Sequence, residues 1–339
     1  MTAPEWSASG AFEVAPGVHR IPLPLPNDGL RAVNVYAVQT DDGLTLVDAG
    51  WSLTESRELL AAGLAAFGAG LGDVRQFLVT HVHRDHYTQA VALRRETGAR
   101  VSLGLGEKPT LDLLQGEQRG VLVGQVQALR AHGAPALADV IEESVRGHRP
   151  DPEQWESPDT WLEPGPVELP GGRVLEAVST PGHTRGHLVF HDLAGSLLFA
   201  GDHVLPTITP SIGFEPALTA NPLGAFLRSL AVVRARPDAL LLPAHGAVAP
   251  SVHARVDELI DHHGRRLDEA QAAVEGGAAT TYDVAGVLRW TRRRHTVADL
   301  DPFNAMLAVS ETGAHLELLV AQGRMSVEPV EGVLVYSAG

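Results

Sequence analysis

The chain has 339 residues, is 44% hydrophobic, carries a formal net charge of −15 and contains no cysteine. That length, with a mean hydropathy near zero (+0.01), suits one large domain or one domain with a smaller companion. The missing cysteines exclude disulfides and thiolate metal ligands, and the acidic balance disfavours nonspecific binding to nucleic acid or anionic membrane.

The opening stretch "MTAPEWSASGAFEV" holds acid and polar residues without an apolar run, so it does not read as a signal peptide. No window reaches the roughly 20 apolar residues that span a bilayer, and the expected location is cytoplasmic. From 18 to 48 the chain reads as strands: "HRIPLPLP", then "AVNVYAVQT", a turn at Asp41-Asp42-Gly43, then "LTLVDAG". Residues 54 to 68 have helical spacing, with Thr54 as the expected N-cap. "VRQFLVTH" fits a buried strand ending at His81, "TQAVALRRETG" a helix closed by Gly98, and "ARVSLG" another strand.

Residues 107 to 160 break this alternation with a helical insert. Strand signals return at "RVLEAVSTPGH", "HLVFHDLAGSLLFAGDH" and "ALLLPAHG", followed by helices at about 222 to 235, where Asn221-Pro222 supplies cap chemistry, and at 251 to 274. Beyond "VEGGAAT" the composition shifts. Helices over 281 to 294 and 301 to 322 and a ribbon at "RMSVEPVEGVLVYS" predict a winged-helix-like domain over 277–339, after a first domain over 1–276.

The densest chemistry lies in "LVTHVHRDHYTQ", where His81, His83, Asp85 and His86 fall within six residues. In an extended segment His81 and His83 point the same way. Imidazole and carboxylate together suit zinc, iron or manganese. Three more candidate ligands each end a predicted strand: His183 in "TPGHTRGH", Asp202 in "FAGDH" and His245 in "LPAHG". Loops at strand ends are where an α/β scaffold usually places its chemistry.

In that order these motifs resemble those of the metallo-β-lactamase superfamily, in its glyoxalase-II-like hydrolase branch. The gap between His86 and His183 is long for that branch, and the insert accounts for it. The resemblance implies a four-layer αβ/βα sandwich with two divalent metal ions, zinc first and iron or manganese as substitutes. It implies that His81, His83 and His183 hold one ion, that Asp85, His86 and His245 hold the other, and that Asp202 bridges them. It also implies that Asp48, in "LVDAG", orients a ligating histidine. A metal-bridging hydroxide would then attack an ester, thioester or lactone, with Asp85 taking a proton. Antibiotic-hydrolysing members typically use a cysteine ligand, which this chain lacks, so classical β-lactamase activity is not expected. Residues 208 to 230 and 307 to 325 resemble the subgroup with a C-terminal winged helix.

His187 and His203 flank ligands and are read as supporting groups, and Tyr87 as a pocket or packing residue. His132, His148, His253, His262 and His263 lie outside the motifs and are read as solvated. The basic stretch "RWTRRRH" (289 to 295) is read as a solvated helix end or a contact with the acidic body, rather than a nucleic-acid patch. The expected partner is a small-molecule substrate, with no membrane and no nucleic acid, and a homodimer is left open. The competing functions are a metal-dependent ribonuclease or phosphodiesterase and a winged-helix nucleic-acid-binding regulator. A mononuclear iron oxygen-using enzyme is a smaller alternative.

Overall fold

The computed structural model describes residues 5–26, 29–116, 122–149, 151–291 and 293–339. In chain order its elements begin with β1 (Phe12–Ala15), β2 (Val18–Pro24), β3 (Ala32–Thr40), β4 (Gly43–Val47), α1 (Thr54–Ala65), β5 (Val74–Val79), α2 (Arg84–Thr97) and β6 (Arg100–Gly104). Then come α3 (Lys108–Gln115), α4 (Val123–Ala131), α5 (Pro135–Ser144), β7 (Thr160–Leu162), β8 (Gly165–Glu168), β9 (Val174–Ser179), β10 (Leu188–Asp192) and β11 (Leu197–Gly201). Last are α6 (Pro222–Arg234), β12 (Leu240–Pro243), α7 (Val252–Glu275), α8 (Thr281–Val287), α9 (Pro302–Ala321), β13 (Met325–Val330) and β14 (Val333–Ala338).

The strands sort into sheets by what their alternate residues bury. In β3, Val33, Val35 and Ala37 enter one core while Tyr36 and Val38 enter another. Both faces of that strand are therefore covered, and its sequence is apolar almost throughout. Strands β1 to β7 form one sheet in sequence order, antiparallel from β1 to β4 and parallel from β4 to β7. A second sheet runs β12-β11-β10-β9-β8 and is antiparallel except at the β11–β12 pair. Leu175, Leu188, Phe190 and Phe199 of the second sheet pack against Tyr36, Val47 and Leu78 of the first. The outer face of the first sheet is covered by Leu60 and Leu64 of α1 and by Tyr87, Ala90 and Val91 of α2. Tyr87 is thus a packing residue: it is fully buried, and its hydroxyl donates to the Glu156 carbonyl at 2.5 Å.

The chain divides into two compact units. One holds the chain up to Gln115, with Asp151–Pro210 and Ser229–Val256; the other holds Gly116–Pro150, Ser211–Arg228 and Asp257–Gly339. This partition differs from the expected boundary at 276/277. Within the second unit, α4 and α5 of the insert pack against α9, so the insert shares a core with the C-terminal helices. That unit ends in the two-stranded sheet β13–β14.

Other local expectations also shift. Leu53, not Thr54, precedes α1 in extended conformation, and no side chain caps that end. Gly98 does close α2, at φ 76° in the left-handed region that favours glycine. The helix expected over 281–294 stops at Val287. Leu288 turns extended, and Trp290 and His295 then exchange backbone hydrogen bonds of 2.8 Å across a tight turn with Thr291 and Arg294 at positive φ. The basic stretch is therefore a turn rather than a helix end; its Arg292 lies outside the described residues, as do residues 117–121 of the insert. No helix among the described residues is long and apolar enough to cross a membrane.

Candidate metal centre

Every candidate ligand falls in the first unit, on a loop that follows a strand or, for Asp85 and His86, in the first turn of α2. β5 runs out at Val79, and Thr80 and His81 follow it directly into α2. His183 lies between β9 and β10, Asp202 follows β11, and His245 follows β12. His81, His86, His183 and His245 are all buried, with Asp202 at 6% exposure.

Two donor groups result. His81, His83, His183 and Asp202 offer ligand atoms within 4.8 Å of one another, and Asp85, His86 and His245 do the same. In the first group His83 Nδ1 lies 3.0 Å from His81 Nε2 and 3.1 Å from His183 Nε2. In the second, Asp85 Oδ2 lies 3.6 Å from His86 Nε2 and 3.5 Å from His245 Nε2. Asp202 faces both: Oδ2 is 3.5 Å from His183 Nε2, while Oδ1 is 3.3 Å from His245 Nε2 and 3.7 Å from His86 Nε2. All seven predicted ligands are brought together.

The far side of each ring fixes which nitrogen faces inward. His86 Nδ1 donates to Asp48 Oδ2 at 2.9 Å, leaving Nε2 to face inward. Asp48 Oδ1 also accepts from the Thr80 backbone N–H at 2.8 Å. The Thr80 hydroxyl donates to the Asp48 carboxylate, so it accepts from His81 Nδ1 (3.0 Å), and His81 Nε2 likewise faces inward unprotonated. His245 Nδ1 donates to the Ala32 carbonyl at 2.8 Å. The loop carrying His245 is fastened by Asn34, whose Nδ2 donates to the Pro243 and Gly246 carbonyls at 2.9 Å each. Asp48 itself sits at φ 60°, a left-handed conformation that aspartate tolerates better than most residues.

His187 stands outside both donor groups, with both ring nitrogens engaged. Its Nε2 accepts from the Asp202 backbone N–H at 3.2 Å, and its Nδ1 donates to Thr180 Oγ1 at 2.9 Å. Gly201, at φ 51°, brings the chain so close that a Cβ there would sit 2.7 Å from both His187 Nε2 and Thr80 Oγ1. His203 is fully buried, and burial pushes its imidazole down to about 3.

The electrostatics suit a cation. Burial, reinforced by the neighbouring imidazoles, drives His81 well below the ordinary histidine range. Burial and the His183 ring beside it bring His83 down to about 3, against the pull of Asp85 and Asp202. Burial also acts to lower His86, but the carboxylates of Asp48, Asp85 and Asp202 outweigh it and hold that ring up at about 10. Asp202 resists its burial and stays below the usual carboxylate range because His245, His86 and His183 surround it. The same carboxylates that favour positive charge on His86 favour a divalent ion.

The donor set fits such ions. Zinc at 2.0 to 2.2 Å from tetrahedral N and O donors separates those donors by roughly 3.3 to 3.6 Å, near the spacings between these atoms. His86 Nε2, His245 Nε2 and Asp202 Oδ1 are buried without a hydrogen-bond partner, and all three point to one place.

Sequence reading missed Thr80, Asn34, Ala32 and Thr180. The threonines stand beside the histidine motifs, a usable signal; the contacts of Asn34 and Ala32 join segments over 200 residues apart. Glu107 was missed as well. It is fully buried and accepts from the Thr184 hydroxyl, next to His183.

Buried imidazole and carboxylate donors on the strand-end loops of two packed sheets define a metal-centre protein of mixed α/β architecture. The family model described as the metallo-beta-lactamase superfamily matches residues 28–245, and the chain belongs to that superfamily. It is similar to the "Probable metallo-hydrolase YqjP" of Bacillus subtilis (strain 168), with 27% identity over 89% of this chain and 91% of that protein. It also resembles the atrochrysone carboxyl ACP thioesterase of Aspergillus fumigatus, with 25% identity over 72% of this chain but only 44% of that one. Among solved structures, a metallo-beta-lactamase family protein from Thermus thermophilus superposes with a TM-score of 0.78 at 28% identity, covering 96% of this chain and 100% of that one. A beta-lactamase domain protein from Burkholderia ambifaria gives 0.77 at 27% identity, covering 99% and 98%.

Proposed function

We propose that the chain, a metal-dependent hydrolase of this superfamily, cleaves a small activated acyl substrate, a thioester first and an ester or lactone next, with two divalent ions. One observation carries the reading: the two oxygens of Asp202 face two different donor groups, each with imidazole nitrogens turned inward. His81, His83 and His183 would hold one ion, Asp85, His86 and His245 the other, and Asp202 both. When bound, the ions supply an acidified water and a Lewis acid for the substrate carbonyl. Asp48 and Thr80 keep the protons of His86 and His81 on Nδ1, so that both Nε2 atoms stay available. Asp85 turns Oδ2 toward His86 and His245, and we assign Oδ1 to proton uptake from the attacking water. Its carboxyl is held below the ordinary range, burial being outweighed by His86 and His245, so it is ionised at neutral pH. A thiol of ordinary pKa, about 8.5, leaves largely as thiolate, which suits a site whose identified proton acceptor is a carboxylate.

The thioesterase name of the Aspergillus relative supports the substrate class. Within the superfamily, the histidine at position 83 and the spacing of the later motifs favour the glyoxalase-II-like branch. The order α8, α9, β13, β14 supports a winged-helix-like reading of the C-terminal segment. The test is a panel of acyl thioesters, lactones, simple esters and single-stranded RNA offered to zinc-loaded protein. Chelator-sensitive thioester or ester hydrolysis is expected; cleavage of RNA alone overturns the proposal.

A further inference from the structure

His263 was expected to be solvated, but it is fully buried on α7, in the second unit. Its Nδ1 lies 3.2 Å from His315 Nε2 on α9. His315 Nδ1 in turn donates to the Glu311 carbonyl one helical turn back, at 2.8 Å. That bond leaves His315 Nε2 as an acceptor, so His263 Nδ1 carries the proton and His263 Nε2 carries the lone pair. His263 Nε2 is buried and has no hydrogen-bond partner. A histidine whose outer N–H is anchored to a second group while its inner nitrogen stands open is the arrangement found behind metal-ligating imidazoles. The anchor here is a two-step relay ending on a backbone carbonyl.

Two further donors stand close to His263. His262, its ring 5.2 Å from the His263 ring and nearly perpendicular to it, and Glu311 offer ligand atoms that lie with that of His263 inside 4.8 Å. Donors around a tetrahedral zinc stand roughly 3.3 to 3.6 Å apart, so small side-chain rotations close the set. Burial raises the Glu311 carboxyl, opposed by Arg266. Arg266 itself pairs with Glu269 at 3.0 Å and lies over the Trp290 ring at 4.5 Å. A half-buried carboxylate close to a buried histidine is stabilised by a bound cation.

We infer that His262, His263 and Glu311 form an additional metal site, a three-ligand centre for a divalent transition ion such as zinc, separate from the candidate hydrolytic centre. Two imidazoles and a carboxylate leave the fourth tetrahedral position to water or to an incoming ligand. His315 is a positioning residue for it.

The test is a zinc titration of the full chain after chelator stripping, with bound metal counted by elemental analysis. The readout is the difference between wild type and variant, so it stands whatever number of ions the hydrolytic centre takes. Glu311→Gln, nearly isosteric, and His263→Ala are each expected to bind one zinc fewer than wild type. His81→Ala is expected to keep that increment. Circular dichroism establishes which variants are folded, and Glu311→Gln alone suffices if His263→Ala does not fold. A folded Glu311→Gln protein that binds as much zinc as wild type overturns the inference, as does loss of the increment in His81→Ala.

Discussion

Replacing Asp48 by asparagine separates orientation from ligation, because Asp48 touches a proposed ligand without being one. Its Oδ2 accepts from His86 Nδ1 at 2.9 Å and its Oδ1 from the Thr80 N–H at 2.8 Å. Asparagine has one oxygen and one amide, so one of those donors loses its acceptor whichever way the side chain turns. A buried donor left unsatisfied costs roughly 1–3 kcal/mol. If the amide faces His86, Nδ1 is driven to accept and the proton moves to Nε2, the atom that faces Asp85 and Asp202. Loss of such a supporting partner lowers metal affinity by about 10- to 100-fold, or about 1.4 to 2.7 kcal/mol. Asparagine tolerates the φ of 60° as well as aspartate does, so the backbone has no new reason to move. The assay is zinc competition against a chromophoric chelator, with a thermal melt on the same sample. Wild-type zinc affinity with an unchanged melt refutes the orienting role.

Gly201→Ala places a Cβ 2.7 Å from His187 Nε2 and Thr80 Oγ1 at φ 51°, and is expected to lower stability by about 1–3 kcal/mol in denaturant titration and to weaken zinc binding. Asn34→Ala removes the side-chain donor to the Gly246 carbonyl, and a loss of about 1–3 kcal/mol is expected by the same measurement. Burial holds the His132 imidazole down to about 4 against an ordinary 6.5, so it stays neutral in the fold where the unfolded chain takes up a proton. Stability should therefore fall as pH drops from 6.5 toward 4, by up to about 1.4 kcal/mol per pH unit for this group. His132→Gln should flatten that slope, and an unchanged slope in pH-dependent melts counts against it.

Much of the candidate site was legible because its ligands are packed into short motifs at strand ends. "THVHRDH" places four donors on one loop and helix start, and "TPGHTRGH", "AGDH" and "PAHG" each end a buried strand. What escaped was long-range. Ala32 holds His245 through a carbonyl, a group every residue has, so no pattern could single it out. The partition of the molecule escaped for the same reason: α4 and α5 look like an insert locally, yet their apolar faces meet α9 far along the chain. The overextended helix at 281–294 failed on local chemistry, since charged residues with good helix propensity filled a turn closed by Trp290 and His295. His263 was misjudged because its burial depends on α9, not on its neighbours in sequence.

Two ions between the donor groups, with Asp202 shared, would be seen directly in a metal-loaded crystal. The measurement is anomalous diffraction at the zinc edge from crystals of zinc-loaded protein. Two peaks are expected in the first unit, one against His81, His83 and His183 and one against Asp85, His86 and His245, each in contact with an oxygen of Asp202. A single peak there, or a pair that leaves Asp202 uncoordinated, contradicts this arrangement.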